Sequence, residues 1–342
     1  MTTVQTVGGP VEHTELGLVL PHEHLANDLA RAFTPAEDPE IRTLLAGPVT
    51  AELAPVLREH PYNSKDNCGL HDAAAVVEDL CAFRAAGGAT VIDLTPPGLG
   101  RDPEALLKYS EASGVRVVMG SGWYLQKFQA GEDLAASEEE LTAQILADFE
   151  RPGVRPGVIG EIGVSPSFTA AEEKSLRAAA RAQLQLGVPL FIHLPGWLRV
   201  GHRVLDIVLD ECGVRPEAVV LCHMDPSSED PGYQLELAKR GTYLCFDMLG
   251  MPYSYPGEGI SPTPDQAAEA VARLIEAGYR DRILLSHDVF LKGMLSRYGG
   301  NGFGFVPSVF PGFLAEYGVS GETARELMTR NPAQLFVDSH HA

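Results

Sequence analysis

The sequence predicts an α/β protein, specifically a distorted (β/α)8 barrel that forms a single domain over residues 1–342. Eight short runs of β-branched and apolar residues recur along the chain, as is typical of strands that are buried on both faces. Stretches with helical spacing separate most of them, and eight alternating units favour a closed parallel barrel. No glycine-rich turn follows the first run, so a doubly wound sheet with a nucleotide site is less favoured.

The strand candidates alternate with helix candidates in a regular order. Two of the helices begin with capping boxes, Ser137 with Glu140 and Thr169 with Glu172, which satisfy backbone N–H groups at a helix start. The predicted helices cover residues 73–86, 138–149, 170–186 and 264–277. The predicted strands cover residues 18–22, 89–95, 115–120, 157–162, 189–193, 218–223, 242–247 and 283–288.

A long segment, residues 29–70, interrupts this order after the first strand. It is rich in proline, has charges of both signs and shows no clean period. Insertions at this end of a barrel often form lids or substrate loops. A possible lid is therefore one interpretation, and a surface decoration or an oligomer contact is the other.

Composition restricts the partners of the protein. Apolar residues make up 45% and charged residues 21% of the chain, as in ordinary globular proteins. The formal charge of -20 argues against nucleic acid or an anionic membrane and leaves a small-molecule substrate, with a homodimer possible. No run is long enough to span a membrane, and residues 1–12 lack a signal-peptide pattern. Five scattered cysteines without a CxxC pair indicate a reducing, cytoplasmic location.

The histidines give the first indication of chemistry. His22 and His24 flank Glu23 at the end of the first strand, and alternation along a strand sends both imidazoles to one side. There they could share one metal ion. Such a pair alone is a weak signal, because a polar strand end is an equally good interpretation.

The position of four further residues strengthens the metal hypothesis. Glu161, His193, His223 and Asp288 end the fourth, fifth, sixth and eighth predicted strands. Barrels build their active sites on this face. Together with the histidine pair, these residues supply four imidazoles and two carboxylates, which suits two divalent ions bridged by one carboxylate.

The chain resembles the phosphotriesterase-like, or phosphotriesterase-related, group of the amidohydrolase superfamily. The resemblance extends from about residue 4 to residue 336. It rests on LGLVLPHEHL (16–25), GRD (100–102), GSGWY (120–124), IGEIG (159–163), CHMD (222–225), SHD (286–288) and NP (331–332).

The resemblance implies a binuclear metal centre in a distorted (β/α)8 barrel. It implies that His22, His24 and Asp288 bind the more buried metal. His193 and His223 then bind the more exposed one, and Glu161 bridges the two. The metal is expected to be zinc, with manganese, cobalt or iron as alternatives.

Two departures from the best-known family members bear on the substrate. Those enzymes bridge their metals with a carboxylated lysine, whereas this chain has Glu161, as does the related-protein branch. Lactonases have Asp-Arg after strand 7, whereas this chain has Asp247 and Met248. Loss of that cation argues against acyl-homoserine lactones and organophosphates as substrates.

The expected activity is hydrolysis of an ester, lactone or amide carbonyl by a bridging hydroxide, with Asp288 as the catalytic proton acceptor. The alternatives are an amide hydrolase of small N-acylated acids, a phosphotriester hydrolase and, less favoured, a non-catalytic ligand-binding barrel. A metal-dependent sugar isomerase fits the strand-1 histidine pair poorly. Tyr124, Lys292 and Arg297 are candidate substrate-binding residues, with packing or solvated helix-start charges as the alternative interpretation.

Overall fold

A computed structural model describes residues 2–340, and its central feature is one sheet of eight strands. Neighbouring strands pair in parallel, and the sheet curls into a nearly closed barrel, which confirms the predicted fold class. In chain order, the strands are β1 (Leu18–Glu23), β2 (Gly88–Asp93), β3 (Arg116–Ser121), β4 (Val158–Gly163), β5 (Leu190–His193), β6 (Val219–Leu221), β7 (Tyr243–Phe246) and β8 (Ile283–Leu285).

Helices surround the barrel, and both predicted capping boxes form at their starts. A third box, Thr263 with Gln266, begins another helix. Two antiparallel hairpins lie outside the barrel, Thr3–Thr6 with Gly9–Glu12 and Ser254–Tyr255 with Gly259–Ile260. The α-helices are Pro39–Leu44, Ala54–Glu59, Ala73–Ala85, Pro103–Ser113, Gly131–Ala135, Glu138–Glu150, Ala170–Leu186, Gly201–Leu205, Pro231–Lys239, Pro264–Glu276, Phe305–Ser308, Phe310–Glu316 and Gly321–Ser339. No helix within residues 2–340 is long and apolar enough to cross a bilayer.

The barrel interior is a packed core rather than a channel. Each strand contributes at least one buried side chain to it, such as Val19 of β1 and Phe191 of β5. Val4 of the first hairpin and Leu335 of the last helix pack against the same cluster. The interior is therefore filled, and open space remains at the end of the barrel where the strands terminate.

The junction between β1 and β8, here called the seam, has no regular ladder in the described sheet. Two backbone hydrogen bonds cross it instead. Asp288 donates its N–H to the carbonyl of His22 at 3.1 Å, and His24 donates to the carbonyl of Val289 at 3.2 Å. The seam thus joins the two ends of the sheet at the level of the predicted metal ligands.

The buried carboxylate of Glu23 strengthens the seam. Its Oε1 accepts hydrogen bonds from the Ser286 hydroxyl at 2.8 Å and from the His287 N–H at 2.9 Å. Its Oε2 accepts from the Val289 N–H at 2.9 Å. His287 also contacts Glu23 through Nδ1 at 2.7 Å, so this histidine points away from the predicted ligands. A buried carboxylate with several donors is well satisfied, and Glu23 therefore fixes one end of the sheet to the other.

Candidate metal centre

Two strand irregularities bring His22 and Glu161 to the interior side of the barrel. Between Leu20 and Glu23, β1 has one residue more than the facing part of β2. Between Ile159 and Ile162, β4 has one residue more than the facing part of β5. An extra residue reverses the alternation of side chains, and such bulges often re-aim a residue beside an active site.

Two other ligand candidates lie just beyond their strands. His223 follows β6 by two residues and has φ 59°, while Asp288 follows β8 by three residues and has φ 57°. Non-glycine residues seldom adopt this left-handed conformation, and surrounding contacts must hold them there. Both strands are thus shorter than predicted, and turns rather than strand ends position these two side chains.

Three of the predicted ligands surround one small volume. The Nε2 atom of His22 lies 3.6 Å from Oδ1 of Asp288, and the Nε2 atom of His24 lies 3.2 Å from the same oxygen. The three side chains are buried or nearly so. His22 Nε2 and Asp288 Oδ1 find no hydrogen-bond partner among residues 2–340. Unsatisfied buried donors and acceptors are costly in a folded protein, so these atoms are suited to a bound cation.

Glu161 lies between this group and the other two histidines. Its Oε1 is 3.6 Å from His24 Nε2, and its Oε2 is 3.6 Å from His22 Nε2. The same Oε2 is 2.8 Å from His193 Nδ1 and 3.5 Å from His223 Nε2. His193 Nδ1 and His223 Nε2 are themselves only 2.8 Å apart. One carboxylate therefore faces all four imidazoles.

Asp247, which sequence reasoning did not identify as a functional residue, orients two of these imidazoles. Its Oδ2 lies 2.8 Å from His22 Nδ1, and its Oδ1 lies 2.9 Å from His223 Nδ1. Since an ionised carboxylate only accepts hydrogen bonds, each ring places its proton on Nδ1 and leaves the Nε2 lone pair for a metal. The Thr95 hydroxyl lies 2.9 Å from His24 Nδ1 and holds the third ring.

The carboxylates of the cluster stabilise positive charge on the neighbouring histidines. Burial lowers the pKa of His22, but the carboxylates of Asp288, Asp247 and Glu161 outweigh this effect and raise it to about 9. Burial alone would raise the pKa of the Glu161 carboxyl, but the neighbouring His193 and His223 hold it well below its usual range. A divalent cation would supply the charge that protons supply here, and the residues present fit a metal centre.

The three candidate substrate residues are placed very differently. The Tyr124 side chain lines the cavity beside the cluster, and its hydroxyl lies 3.5 Å from His193 Nε2. Lys292 instead forms an ion pair with Asp66 at 2.8 Å. Arg297 pairs with Glu78 at 2.7 Å. Neither cation lines the cavity, because the chain after β8 turns back toward the segment 29–70 and the helix Ala73–Ala85. Both cations are thus engaged in ion pairs outside the cavity, and their assignment as substrate-binding residues stays a prediction.

The cavity has a volume of about 110 Å³ and opens from the cluster toward solvent. Lys127, which the sequence did not indicate, is the only lysine or arginine among the described residues that line it. Met248 lies on its wall, as does Glu258. The segment 29–70 contributes Tyr62 and other residues, so part of this insertion borders the site.

Comparison with known proteins identifies the family. The family model described as "Phosphotriesterase family" matches residues 2–336. The chain belongs to this family. It is thus a phosphotriesterase-family hydrolase, which confirms the resemblance that the motifs indicated.

Relatives of this hydrolase cover nearly the whole chain. It is 34% identical to N-acetyltaurine hydrolase of Salmo salar over 96% of both chains. It is 32% identical to the phosphotriesterase-related protein of Aedes aegypti over 98% of both.

Solved structures agree with the fold. A resiniferatoxin-binding protein from Rhodobacter sphaeroides has a TM-score of 0.95 at 44% identity, covering 98% of this chain and 95% of that one. The lactonase Lmo2620 from Listeria monocytogenes has a TM-score of 0.77 at 21% identity, covering 98% and 99%, and this similarity shows the fold alone.

Proposed function

We propose that this hydrolase uses two divalent metal ions to cleave a carboxylic ester, lactone or amide. The observation that supports two ions is the Glu161 carboxylate, one oxygen of which faces His24 while the other faces His22, His193 and His223. One ion would be held by His22, His24 and Asp288, the other by His193 and His223, with Glu161 shared. Imidazole and carboxylate donors suit zinc, and also manganese, cobalt or iron.

Once bound, the ions would supply a water of lowered pKa as nucleophile and would polarise the scissile carbonyl. Asp288 directs Oδ1 toward His22 and His24, whereas its Oδ2 lies 3.9 Å from His223 Nδ1, beyond hydrogen-bonding distance. One carboxylate oxygen can therefore coordinate while the other accepts the proton of the attacking water. Asp247 holds two imidazoles in place, and Tyr124 presents a hydroxyl to the substrate from the cavity wall.

The metal content tests the first part of the proposal. Protein purified without chelator and loaded with zinc or manganese should contain two equivalents per chain, as measured by elemental analysis. His22→Asn should bind less metal, because the shorter asparagine side chain ends near the position of the ring Nδ1 and does not reach the position of His22 Nε2. His202→Asn is the matched control, since His202 is half exposed and pairs with Glu236. A reproducible value of one equivalent or less in the wild type would contradict the binuclear centre.

The cavity wall favours a carbonyl substrate over a phosphotriester. Met248 lines the cavity directly after Asp247, so an apolar thioether occupies the wall where the family's lactonases have an arginine. Asp247 itself is buried behind the histidines and does not reach the substrate. The thioether cannot pair with an anionic oxygen as an arginine would, so the wall lacks the cation on which the phosphotriester and acyl-homoserine lactone interpretations depend.

Among carbonyl substrates, one observation favours the amide of a small N-acylated acid. Lys127 is exposed, lines the cavity and forms no ion pair within residues 2–340, so it is available to an anionic group. The relatives named N-acetyltaurine hydrolase, at 32–34% identity, support the same substrate class. Because the chain has a net charge of -20, an anionic substrate is repelled by the protein as a whole, and Lys127 would offset this repulsion at the cavity.

A substrate panel separates these possibilities. We expect kcat/KM to be highest for N-acylated acids such as N-acetyltaurine, intermediate for neutral esters and lactones, and lowest for phosphotriesters. Lys127→Met should raise KM for the anionic substrates about two- to fivefold with little change for neutral ones, since one exposed charge contact is lost. Lys65→Met makes the same charge change away from the cavity and serves as control. A phosphotriester that outperforms every carbonyl compound would refute the carbonyl assignment.

A further inference from the structure

Four aromatic side chains form one continuous side of the cavity, here called the aromatic wall: Tyr62, Trp197, Tyr255 and Phe290. They come from four separate loops, those that follow β1, β5, β7 and β8. Tyr255 is the centre of the group. Its ring centroid lies 6.2 Å from that of Tyr62, 5.7 Å from Trp197 and 6.3 Å from Phe290.

The aromatic wall begins at the metal centre. The Phe290 ring lies 6.5 Å from the His24 ring, edge to face at 84°. Tyr255 is buried, but Tyr62, Trp197 and Phe290 are only half-buried, so part of each surface faces the cavity. The wall therefore offers apolar ring surface beside the candidate metal centre, where the proposed reaction would place the scissile carbonyl.

The wall is held in place by close packing. A Cβ atom at Gly259 would lie 2.2 Å from Trp197 Nε1, so the indole lies directly on the backbone of the hairpin that contains Tyr255. A rigid aromatic surface loses little conformational entropy on binding and so favours recognition. Two rings are thus fixed relative to each other before any ligand enters.

The size and charge of the cavity restrict the occupant of the wall. A dry cavity of about 150 Å³ accommodates one benzene molecule. This cavity, at about 110 Å³ and open to solvent, has room for one ring beside the wall. Lys127 lies over the Phe128 ring at 5.0 Å, outside the four rings of the wall, whereas Glu258 belongs to the hairpin of Tyr255 and disfavours an anionic ring there. A cationic group would also be repelled by two divalent ions, which leaves an uncharged ring.

We propose that the aromatic wall binds a single uncharged aryl group of the substrate, attached within one or two bonds of the scissile carbonyl. The inference rests on the proposed carbonyl hydrolysis and names its substrate class more closely. Ring–ring contacts at offset or edge-to-face geometry stabilise such a group beyond the burial of its area.

Matched substrates test this inference. With one fixed leaving group, phenylacetyl should exceed acetyl in kcat/KM at least tenfold, as expected for burying a ring. It should exceed cyclohexylacetyl by about two- to tenfold, which isolates the aromatic contribution from apolar area. The same comparison is made with phenyl, cyclohexyl and methyl leaving groups, because the ring could belong to either half of the substrate. A preference for the aryl member in one half supports the proposal, and its absence in both overturns it.

Variants locate the preference. Tyr62→Leu and Trp197→Leu should each reduce the phenyl-to-cyclohexyl ratio toward one, while Tyr317→Leu, at an exposed tyrosine outside the cavity, should leave the ratio unchanged. Tyr255 is buried, and a leucine there could disrupt folding. Tyr255→Phe keeps the ring and should preserve the phenyl-to-cyclohexyl ratio. A ratio that is the same in the wild type and in both wall variants would place the preference elsewhere and refute the assignment.

Binding without turnover keeps this inference distinct from the proposed function. Phenylacetate, cyclohexylacetate and acetate are titrated into the metal-loaded protein, and affinity is followed by calorimetry. Tighter binding of phenylacetate than of cyclohexylacetate supports the aromatic wall even if no hydrolysis is found. Hydrolysis together with equal affinity for the three acids would contradict the wall and leave the hydrolase proposal standing.

Discussion

Asp288→Asn should lower kcat by about two to four orders of magnitude, the usual worth of a general acid or base, while both metals stay bound. The amide oxygen can still coordinate, but an amide cannot accept the proton of the attacking water. The substitution should also cause little backbone strain. Asp288 adopts the left-handed conformation at φ 57°, which asparagine tolerates better than most residues. The loss of rate should therefore report on the proton and not on strain.

The measurement combines kcat with metal content on the same preparations. Asp281→Asn, at an exposed aspartate that pairs with Arg280 and does not line the cavity, should match the wild type in both. If Asp288→Asn retains two metals and near-wild-type turnover, the proton-acceptor role is wrong. If it loses a metal, loading at higher metal concentration must restore occupancy without restoring the rate.

Glu161→Gln should lose about half of the bound metal and nearly all activity. A neutral amide cannot share its oxygens between two cations as a carboxylate does, and a buried site with two dications needs the negative charge. Glu161 is 2% exposed, so water cannot easily take its place. Glu139→Gln is the control at an exposed glutamate. Full occupancy in Glu161→Gln would show that the carboxylate does not bridge.

The same residue makes assembly independent of carbon dioxide. A glutamate already has the charge and the two oxygens that a lysine gains only after carboxylation. The next lysine along the chain, Lys174, donates to the backbone carbonyls of Leu134 and Ala136 and does not line the cavity. Apo-protein should therefore regain activity at equal rates in carbonate-depleted buffer with and without bicarbonate. Strong dependence on bicarbonate would mean that a lysine is the bridge.

The eight-strand barrel could be predicted from sequence because each strand leaves a local signal. Apolar runs, helical spacing and capping residues all lie within a few positions of one another, as the boxes at Ser137 and Thr169 show. The carboxyl ends of the strands were close to correct, and those ends share one face in any parallel barrel. This was enough to gather the six predicted ligands at that face, although their roles as ligands remain predictions.

The means by which those side chains converge could not be predicted. Simple alternation does not account for His22 and Glu161, since one extra residue in β1 and one in β4 change which face each side chain takes. Bulges leave no clear trace in composition. Asp247 contacts His22 across 225 positions of sequence, and only the folded barrel reveals that pairing. The ion pair of Lys292 with Asp66 could not be predicted for a similar reason, because the direction of the chain after β8 depends on its packing against residues 29–70.

The seam between β1 and β8 can form only after nearly the whole chain has been synthesised. Glu23 and the Val289 N–H that it accepts are 266 residues apart, and the first histidine pair leaves the ribosome long before Asp288. During that interval, His22 and His24 lack both the carboxylate and the strand that fix them. The nascent chain therefore has no assembled candidate metal centre, and metal that binds these residues would be taken up by the finished barrel rather than during synthesis.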